Sequence, residues 1–198
     1  MIVAGGGVRH SGAGRELVAL AEALQIPVVT SLNGKDTIPG VHPLSCGVVG
    51  TYSRESANKV VNAADLICFV GTTTGGMTTH FWAVPKIGVD AIQIDIEPES
   101  LGRNYPLQAV INGDAKVTLA RMTALADKKS AAKRKAWVAE VQGLCAEWRE
   151  KYKPLLTSVQ LVPLSVERKT PPETPAKRFV PETSKSRTYG YVKPELTA

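Results

Sequence analysis

The feature that most constrains the fold is an alternation of short apolar runs with amphipathic segments. The apolar runs stop at Gly or Pro and read "MIVAGG", "IPVVTSL", "DLICFVG" and "AIQIDIEP", followed by a shorter one, "LQAVING". After the first run, Leu17, Leu20 and Leu24 fall on one face of a helix. Apolar strands separated by helices predict a parallel sheet covered on both faces. The predicted fold is therefore a doubly wound, Rossmann-like α/β domain.

The helices of this domain are predicted from spacing and from capping residues. The first covers residues 11–24, the second covers residues 53–64 with Ser53 as its N-cap, and the third covers residues 115–126 with Asp114 as its N-cap. The intervening residues 33–52, rich in Gly and Pro, are interpreted as a loop. In the third helix the side chains available for packing are those of Val117, Leu119, Ala120, Met122 and Leu125.

The positive charge of the chain lies outside the predicted domain. The formal net charge is +6, yet residues 1–126 carry nine Lys and Arg against ten Asp and Glu. The basic stretch "DKKSAAKRKAW" is typical of a solvated helix face, and no nucleic-acid-binding motif accompanies it. We therefore expect no nucleic-acid partner.

Other classes of protein are disfavoured by what the sequence lacks. No apolar run approaches the roughly 20 residues that a bilayer requires, and no signal peptide is recognisable. Cys46, Cys68 and Cys145 are odd in number and far apart, which indicates neither a disulfide framework nor a zinc site. The three histidines are also scattered. The expectation is a cytoplasmic domain without a metal site and without a membrane association.

The character of the sequence changes after residue 127. Residues 128–153 are predicted to form a linker helix with an apolar stripe of Trp137, Val141, Leu144 and Trp148. Residues 154–198 hold 7 of the 13 prolines and have almost no apolar periodicity, a composition typical of disorder. The predicted organisation is a domain over 1–127, a linker helix over 128–153 and a disordered tail over 154–198.

Three features in the predicted domain point to a ligand. The glycines Gly5, Gly6 and Gly7 follow the first strand, Gly71 and the threonines after it follow a later strand, and Asp95 ends "AIQIDIEP". The glycines do not fit the dinucleotide fingerprint, since His10 stands where the third glycine belongs. Each feature has a structural alternative: a close helix–sheet approach for the glycine turns and a strand-end cap for the carboxylate. Together they predict a nucleotide-sized cleft at the carboxyl ends of the strands.

The order of these segments resembles a known family. The run "IVAGGGV…LVALAEALQIPVVTSLNGKDTIPGVHPLSCGVVG", then "ANKVVNAADLICFVGTTT", then "AIQIDIEPESLGRNYPLQAVINGDAKVTL" is similar to the central domain of thiamine-diphosphate enzymes of the acetolactate synthase type. The resemblance covers residues 1 to 126, with an echo in "AEWREKY" and "LVPLSVER". It implies a sheet of the NAD/FAD-binding type.

The resemblance also implies where catalysis lies. Enzymes of this family have a pyrimidine-binding domain, a central domain and a diphosphate-binding domain with a magnesium motif, and their active sites form from the first and last domains of two subunits. The central domain is a scaffold that binds FAD or ADP in some members. No catalytic or metal-binding residue is therefore expected here, and thiamine diphosphate and Mg²⁺ would belong to the full-length enzyme. The cofactor-binding positions implied are Gly5, Gly6, Gly7, Ser31, Leu32, Gly47, Gly71, Thr72, Asp95, Ile96 and Asp114.

One departure from the family pattern argues against FAD. Acetolactate synthases have Gly-Ala-Arg-Phe-Asp-Asp-Arg where this chain reads "GTTTGGM" over residues 71–77, so the arginines and acids that grip the flavin are missing.

Two functions follow from the sequence. In the first, the chain is the central part of a carboligase or decarboxylase, a transferase or lyase that forms homo-oligomers when complete, and is inactive without its flanking domains. In the second, it is a free-standing nucleotide-binding or oligomer-assembly module.

Overall fold

A computed structural model describes residues 1–161, with side chains through residue 154. Most of the predicted disordered tail therefore lies outside the described residues. The strands are β1 (Ile2–Ala4), β2 (Val28–Thr30), β3 (Ser45–Val48), β4 (Leu66–Val70), β5 (Asp90–Asp95) and β6 (Ala109–Asn112). The α-helices are α1 (Gly6–His10), α2 (Gly14–Leu24), α3 (Glu55–Asn62), α4 (Gly76–Thr79), α5 (Ala115–Leu125) and α6 (Lys135–Leu161), with 3₁₀ turns at Pro98–Ser100 and Lys128–Arg134.

The six strands form one parallel sheet in the order β3-β2-β1-β4-β5-β6. Ile2 pairs with Val28 on one side and with Cys68 on the other, so β1 lies at the centre. From β1 the chain runs outward to β2 and β3, and from β4 it runs in the opposite direction to β5 and β6. The order reverses between β1 and β4, which confirms the predicted doubly wound α/β fold and puts the topological switch point there.

Both faces of the sheet are buried at the inner strands β1, β2, β4 and β5, and alternate strand residues point to each face. Val3 and Phe69 join a core cluster with α3 and α6. Ile2 and Ile94 join a second cluster with α2 and α5. This two-sided burial explains why the strands read as continuous apolar runs rather than as alternating ones.

The first predicted helix begins three residues later than expected, and a separate short helix that was not predicted precedes it. The sequence predicts one helix over 11–24, but α1 ends at His10 and α2 starts at Gly14. Gly12 has a φ of +64°, a left-handed conformation that favours glycine and interrupts a right-handed helix. The break turns the chain between the two helices.

Two predictions between β2 and β4 are wrong. Ser53 does not cap α3, because the chain is still extended at Arg54, which occupies the N-cap without a side-chain hydrogen bond. The predicted loop also contains β3, which pairs with β2 across an irregular register. Its sequence "SCGV" is short and includes Gly47 at a φ of +92°, so it carries little strand signal.

The cap of α5 is confirmed, whereas its predicted packing face is only partly right. The Asp114 carboxylate accepts a hydrogen bond from the Val117 amide at 3.0 Å. Leu119 is buried and Met122 packs against the core, but Val117, Ala120 and Leu125 are exposed. The helix therefore buries a narrow stripe that starts at Ala115.

Helix α6 packs on the sheet and extends through Pro154 to Leu161, past the predicted boundary at residue 153. Its buried stripe is Val138, Val141 and Cys145, while Trp137, Leu144 and Trp148 are half-buried. The Arg54 guanidinium lies 4.9 Å from the centroid of a Trp148 ring. Residues Met1–Thr157 form one compact unit, so most of α6 belongs to the body of the domain.

Among the described residues, no helix combines the length and hydropathy needed to cross a membrane. The three cysteines are free thiols.

Candidate ligand-binding site at the carboxyl edge of the sheet

A cleft of about 330 Å³ lies at the carboxyl edge of the sheet, beside the switch point. Its walls come from the ends of β4, β5 and β6 and from α1. Gly7, Gly71, Asp95, Ile96 and Asp114, five of the predicted ligand positions, line it together. Parallel strands bring their carboxyl ends to one edge, which explains why residues far apart in sequence converge here.

Asp95 is fixed in this cleft by its local turn. It is the last residue of β5 and is 8% exposed. One carboxylate oxygen accepts a hydrogen bond from the Glu97 amide at 3.0 Å, and its backbone carbonyl accepts one from the Gly113 amide. The strand-end cap considered as an alternative is therefore present. A carboxylate can accept several hydrogen bonds, so this turn leaves acceptor capacity for a ligand.

Asp114 is a second carboxylate that follows the end of a strand and caps a local backbone turn. It follows β6, lines the same cleft and caps α5. The cleft thus contains two carboxylates, whereas none of its lining residues is Lys or Arg. Such a surface suits hydroxyl and amine donors and disfavours a phosphate.

The glycine turn after β1 is explained by backbone packing. A Cβ on Gly7 would lie 2.7 Å from the Gly71 Cα, and a Cβ on Gly5 would overlap the Gly71 carbonyl. The amides of Gly5 and Gly7 already donate to the carbonyls of Val70 and Gly71 at 2.8 and 2.9 Å. These two glycines let the β1 and β4 turns touch, and their amides are not available to a phosphate.

Gly6 and Thr72, two further predicted ligand positions, do not line this cleft. Gly6 faces Asn33 and His10. Thr72 is buried, and its hydroxyl oxygen accepts from the Thr74 amide at 3.4 Å.

A second cleft of about 200 Å³ contains the remaining predicted turn. Ser31 and Leu32 line it, together with Tyr52 and Met77. The Ser31 hydroxyl already accepts a hydrogen bond from the Gly34 amide. Gly47 is not among the lining residues; it packs against the Arg54 side chain. Seven of the eleven predicted ligand positions therefore line one of two clefts, whereas Gly5, Gly6, Gly47 and Thr72 line neither.

Four residues that line the first cleft were not among the predicted ligand positions: His10, Ser11, Gly113 and Ala115. His10 and Ser11 lie at the end of α1. Their position one helical turn after the glycines is the only signal that could have indicated them.

The described residues do not fit a site for thiamine diphosphate and its metal. They contain no group of three or more His, Cys, Asp or Glu side chains arranged to hold a metal ion. Asp114, in the sequence "NGD", is used as a helix cap. A diphosphate held through Mg²⁺ needs oxygen ligands around the metal, and the described part of the chain does not gather them.

Comparison with known proteins identifies the family. The model of the thiamine pyrophosphate enzyme central domain matches residues 1–122. This chain belongs to the thiamine pyrophosphate enzymes. The match spans the sheet and α2, α3 and most of α5, so the resemblance seen in the sequence is confirmed.

Relatives within the thiamine pyrophosphate enzymes carry several activities in their names. A probable acetolactate synthase large subunit of Methanocaldococcus jannaschii is 41% identical over 123 residues, which are 60% of this chain and 20% of that protein. A sulfoacetaldehyde acetyltransferase of Castellaniella defragrans is 35% identical, over 62% of this chain and 21% of that protein. A 3D-(3,5/4)-trihydroxycyclohexane-1,2-dione hydrolase of Clostridium perfringens is 32% identical, over 78% of this chain and 24% of that protein.

A solved structure from Mycobacterium smegmatis, described as thiamin diphosphate-dependent, aligns with 65% of this chain and 25% of that chain at 28% identity and a TM-score of 0.49. The matches to the three named relatives span a fifth to a quarter of those proteins.

Proposed function

We propose that this chain is the non-catalytic central domain of a thiamine-diphosphate-dependent carboligase or decarboxylase that acts on 2-oxo acids, and that its first cleft binds the adenosine part of a nucleotide. The single observation that carries the binding proposal is the convergence of Asp95, Ile96 and Asp114 beside the switch point. Pyrimidine- and diphosphate-binding domains are its proposed partners in the whole enzyme. The metal and thiamine diphosphate would be held there.

The chemistry of the first cleft favours a nucleoside. The Asp95 carboxylate can accept hydrogen bonds from ribose hydroxyls, as strand-end acids do in doubly wound folds. Ile96 is 66% exposed beside it and offers an apolar contact to a purine ring. Asp95 thus offers a polar contact to the ribose of adenosine, and Ile96 offers an apolar contact to its purine ring.

The same cleft offers little to a diphosphate. The amides of Gly5 and Gly7 are already bonded to the protein, and the carboxylates of Asp95 and Asp114 would repel a phosphate. Affinity should therefore come from the nucleoside, and the phosphates of ADP or FAD should add little. FAD would also require the arginines that the 71–77 segment lacks.

Calorimetric titration of the 198-residue chain with adenosine, AMP and ADP tests the binding proposal. We expect adenosine to bind as tightly as ADP or more tightly, with an equal or smaller dissociation constant. An ADP affinity tenfold or more above that of adenosine would contradict the proposed mode of binding, since it would require phosphate contacts.

Asp95→Asn is the matched variant. The asparagine keeps an oxygen that can accept from the Glu97 amide but loses the charge, so adenosine affinity should fall about tenfold. Asp36→Asn, an exposed position on another surface, is the control and should leave the affinity unchanged.

A further inference from the structure

The two edge strands of the sheet, β3 and β6, differ in whether their outward backbone groups are already bonded. At the β3 edge, the Ser45 amide donates to the His42 carbonyl and the Val48 carbonyl accepts from the Arg54 amide. β3 is also irregular in register against β2, and Cys46 is buried with Cys145 of α6 in one core cluster. Flanking loops thus take up backbone groups at both ends of β3, one of the ways in which edge strands are protected from pairing.

Within the described part of the chain, the β6 edge is open. All four residues of β6 are exposed, and no other strand of the described part of the chain lies beyond it. The Gly113 amide donates to the Asp95 carbonyl at 2.9 Å. In a parallel pair, every second residue of a strand forms hydrogen bonds with the same neighbour. The backbone of Ile111 therefore also bonds to β5, while the amides and carbonyls of Val110 and Asn112 point away from β5.

The side chains along this edge are apolar and uncharged. Ile111 is 37% exposed, Val110 is 56% exposed, and Val117 of α5 is 58% exposed. Residues 104–113, "NYPLQAVING", contain no charged side chain. β6 itself has no proline or charge, which are common devices that stop an edge strand from pairing.

We propose that β6 pairs antiparallel with β6 of a second copy of this chain. A two-fold axis beside Ile111 would place the two Ile111 side chains opposite each other and pair Val110 with Asn112 of the partner. The outward amides and carbonyls of these two residues in both copies would form about four hydrogen bonds. One sheet then continues through both molecules, with Ile111 and Val117 of each copy buried at the junction.

A second copy is favoured over an open assembly because the other edge is blocked. Pairing of β6 with β3 would propagate into a filament, but at the β3 edge the Ser45 amide and the Val48 carbonyl are already bonded to the flanking loops. Between the sheet edges of the described residues, the symmetric contact of β6 with itself is therefore favoured, and this contact closes after two molecules.

Sedimentation equilibrium of the 198-residue chain over a wide concentration range tests the pairing. We expect a monomer–dimer equilibrium and, by hydrogen exchange, protection of the Val110 and Asn112 amides that increases with concentration. Ile111→Lys places like charges opposite each other and should weaken the dimer about tenfold or more. Val41→Lys, at a 93% exposed position away from β6, should not.

A second variant separates loss of pairing from loss of folding. Val110→Pro removes an amide that faces away from β5, so it costs no ladder bond within the molecule. It should weaken the dimer while circular dichroism stays native. A chain that remains monomeric at all concentrations would overturn the proposal. So would a dimer that neither variant weakens, since its contact would lie elsewhere, in another part of this chain.

Discussion

At the scale of single residues, the glycines after β1 serve the packing of two turns. Gly7 and Gly71 lie in contact at the switch point, where the backbones of the β1 and β4 turns meet. A glycine run after a strand is commonly interpreted as a phosphate-binding loop. In this chain the glycine run allows the two turns to pack closely. It forms part of the cleft wall, but the amides of Gly5 and Gly7 donate their hydrogen bonds within the protein and not to a ligand.

Gly7→Ala tests this reading. The added Cβ would lie 2.7 Å from the Gly71 Cα, and neither backbone can move without disturbing the sheet. We expect the free energy of unfolding to fall by about 2 kcal/mol or more in urea denaturation. Gly143→Ala, within α6 and with nothing near its Cβ, should raise it by about 0.5–1 kcal/mol instead. Equal effects of the two variants would contradict the assignment.

The thiols of Cys46 and Cys145 should give stability a pH dependence. A hydrogen bond with Cys46 lowers the pKa of Cys145 to about 7, and the same bond together with burial raises the pKa of Cys46. Between about pH 7 and about pH 8.5, native Cys145 has released a proton that an unfolded thiol still holds. The unfolded state then binds more protons, so stability rises with pH in this window.

Urea unfolding at about pH 6 and about pH 8.5 measures the effect. Cys145→Ser should abolish the part of the rise that is due to the thiolate, whereas Cys68→Ser should retain it. An unchanged pH dependence in Cys145→Ser would exclude the thiolate as its source.

At the scale of elements, the strands that could be predicted are those buried on both faces. β4 reads as a continuous apolar run, and the apolar run of β5 is interrupted by Gln93, a buried side chain that donates to the Thr72 and Ser100 carbonyls. β3 could not be found this way, since it is short, lies at an edge and contains Gly47 in a left-handed conformation. Helix boundaries were missed where backbone conformation decides them, at Gly12 and at Arg54.

Part of the site could also be predicted. Gly71 and Asp95 converge because parallel strands must bring their carboxyl ends to one edge. The division into two clefts could not be predicted, because it depends on how Asn33 and the β1–α1 turn pack between them. His10 and Ser11 were missed because their positions depend on where α1 ends.

Helix α6 contributes to the stability of the domain. Val141 is 1% exposed within the cluster that joins α6 to the sheet. Val141→Ala should lower the free energy of unfolding by about 2 kcal/mol, because it removes buried methyl groups and leaves a cavity. Glu140→Ala, exposed on the same helix, is the control. If Val141→Ala had no more effect than the control, α6 would be a detached linker.

At the scale of the whole molecule, we propose that this chain is a scaffold and that catalysis belongs to other domains of the enzyme. The described residues contain a sheet with a nucleoside-sized cleft but no cluster able to hold the metal of a thiamine diphosphate site. We therefore predict that the pure chain does not consume pyruvate when thiamine diphosphate and Mg²⁺ are supplied. Steady turnover that survives purification to homogeneity would show that catalytic residues are present in this chain.

The most direct test of the central claim is to map adenosine binding by the amide chemical shifts of the labelled chain. We expect shifts that saturate for Ser11, Ile96 and Gly113 around the first cleft, while the amides of Tyr52 and Met77 in the second cleft remain unchanged. Saturating shifts confined to the second cleft, or none at millimolar adenosine, would contradict the claim that the carboxyl edge beside Asp95 is a nucleoside site.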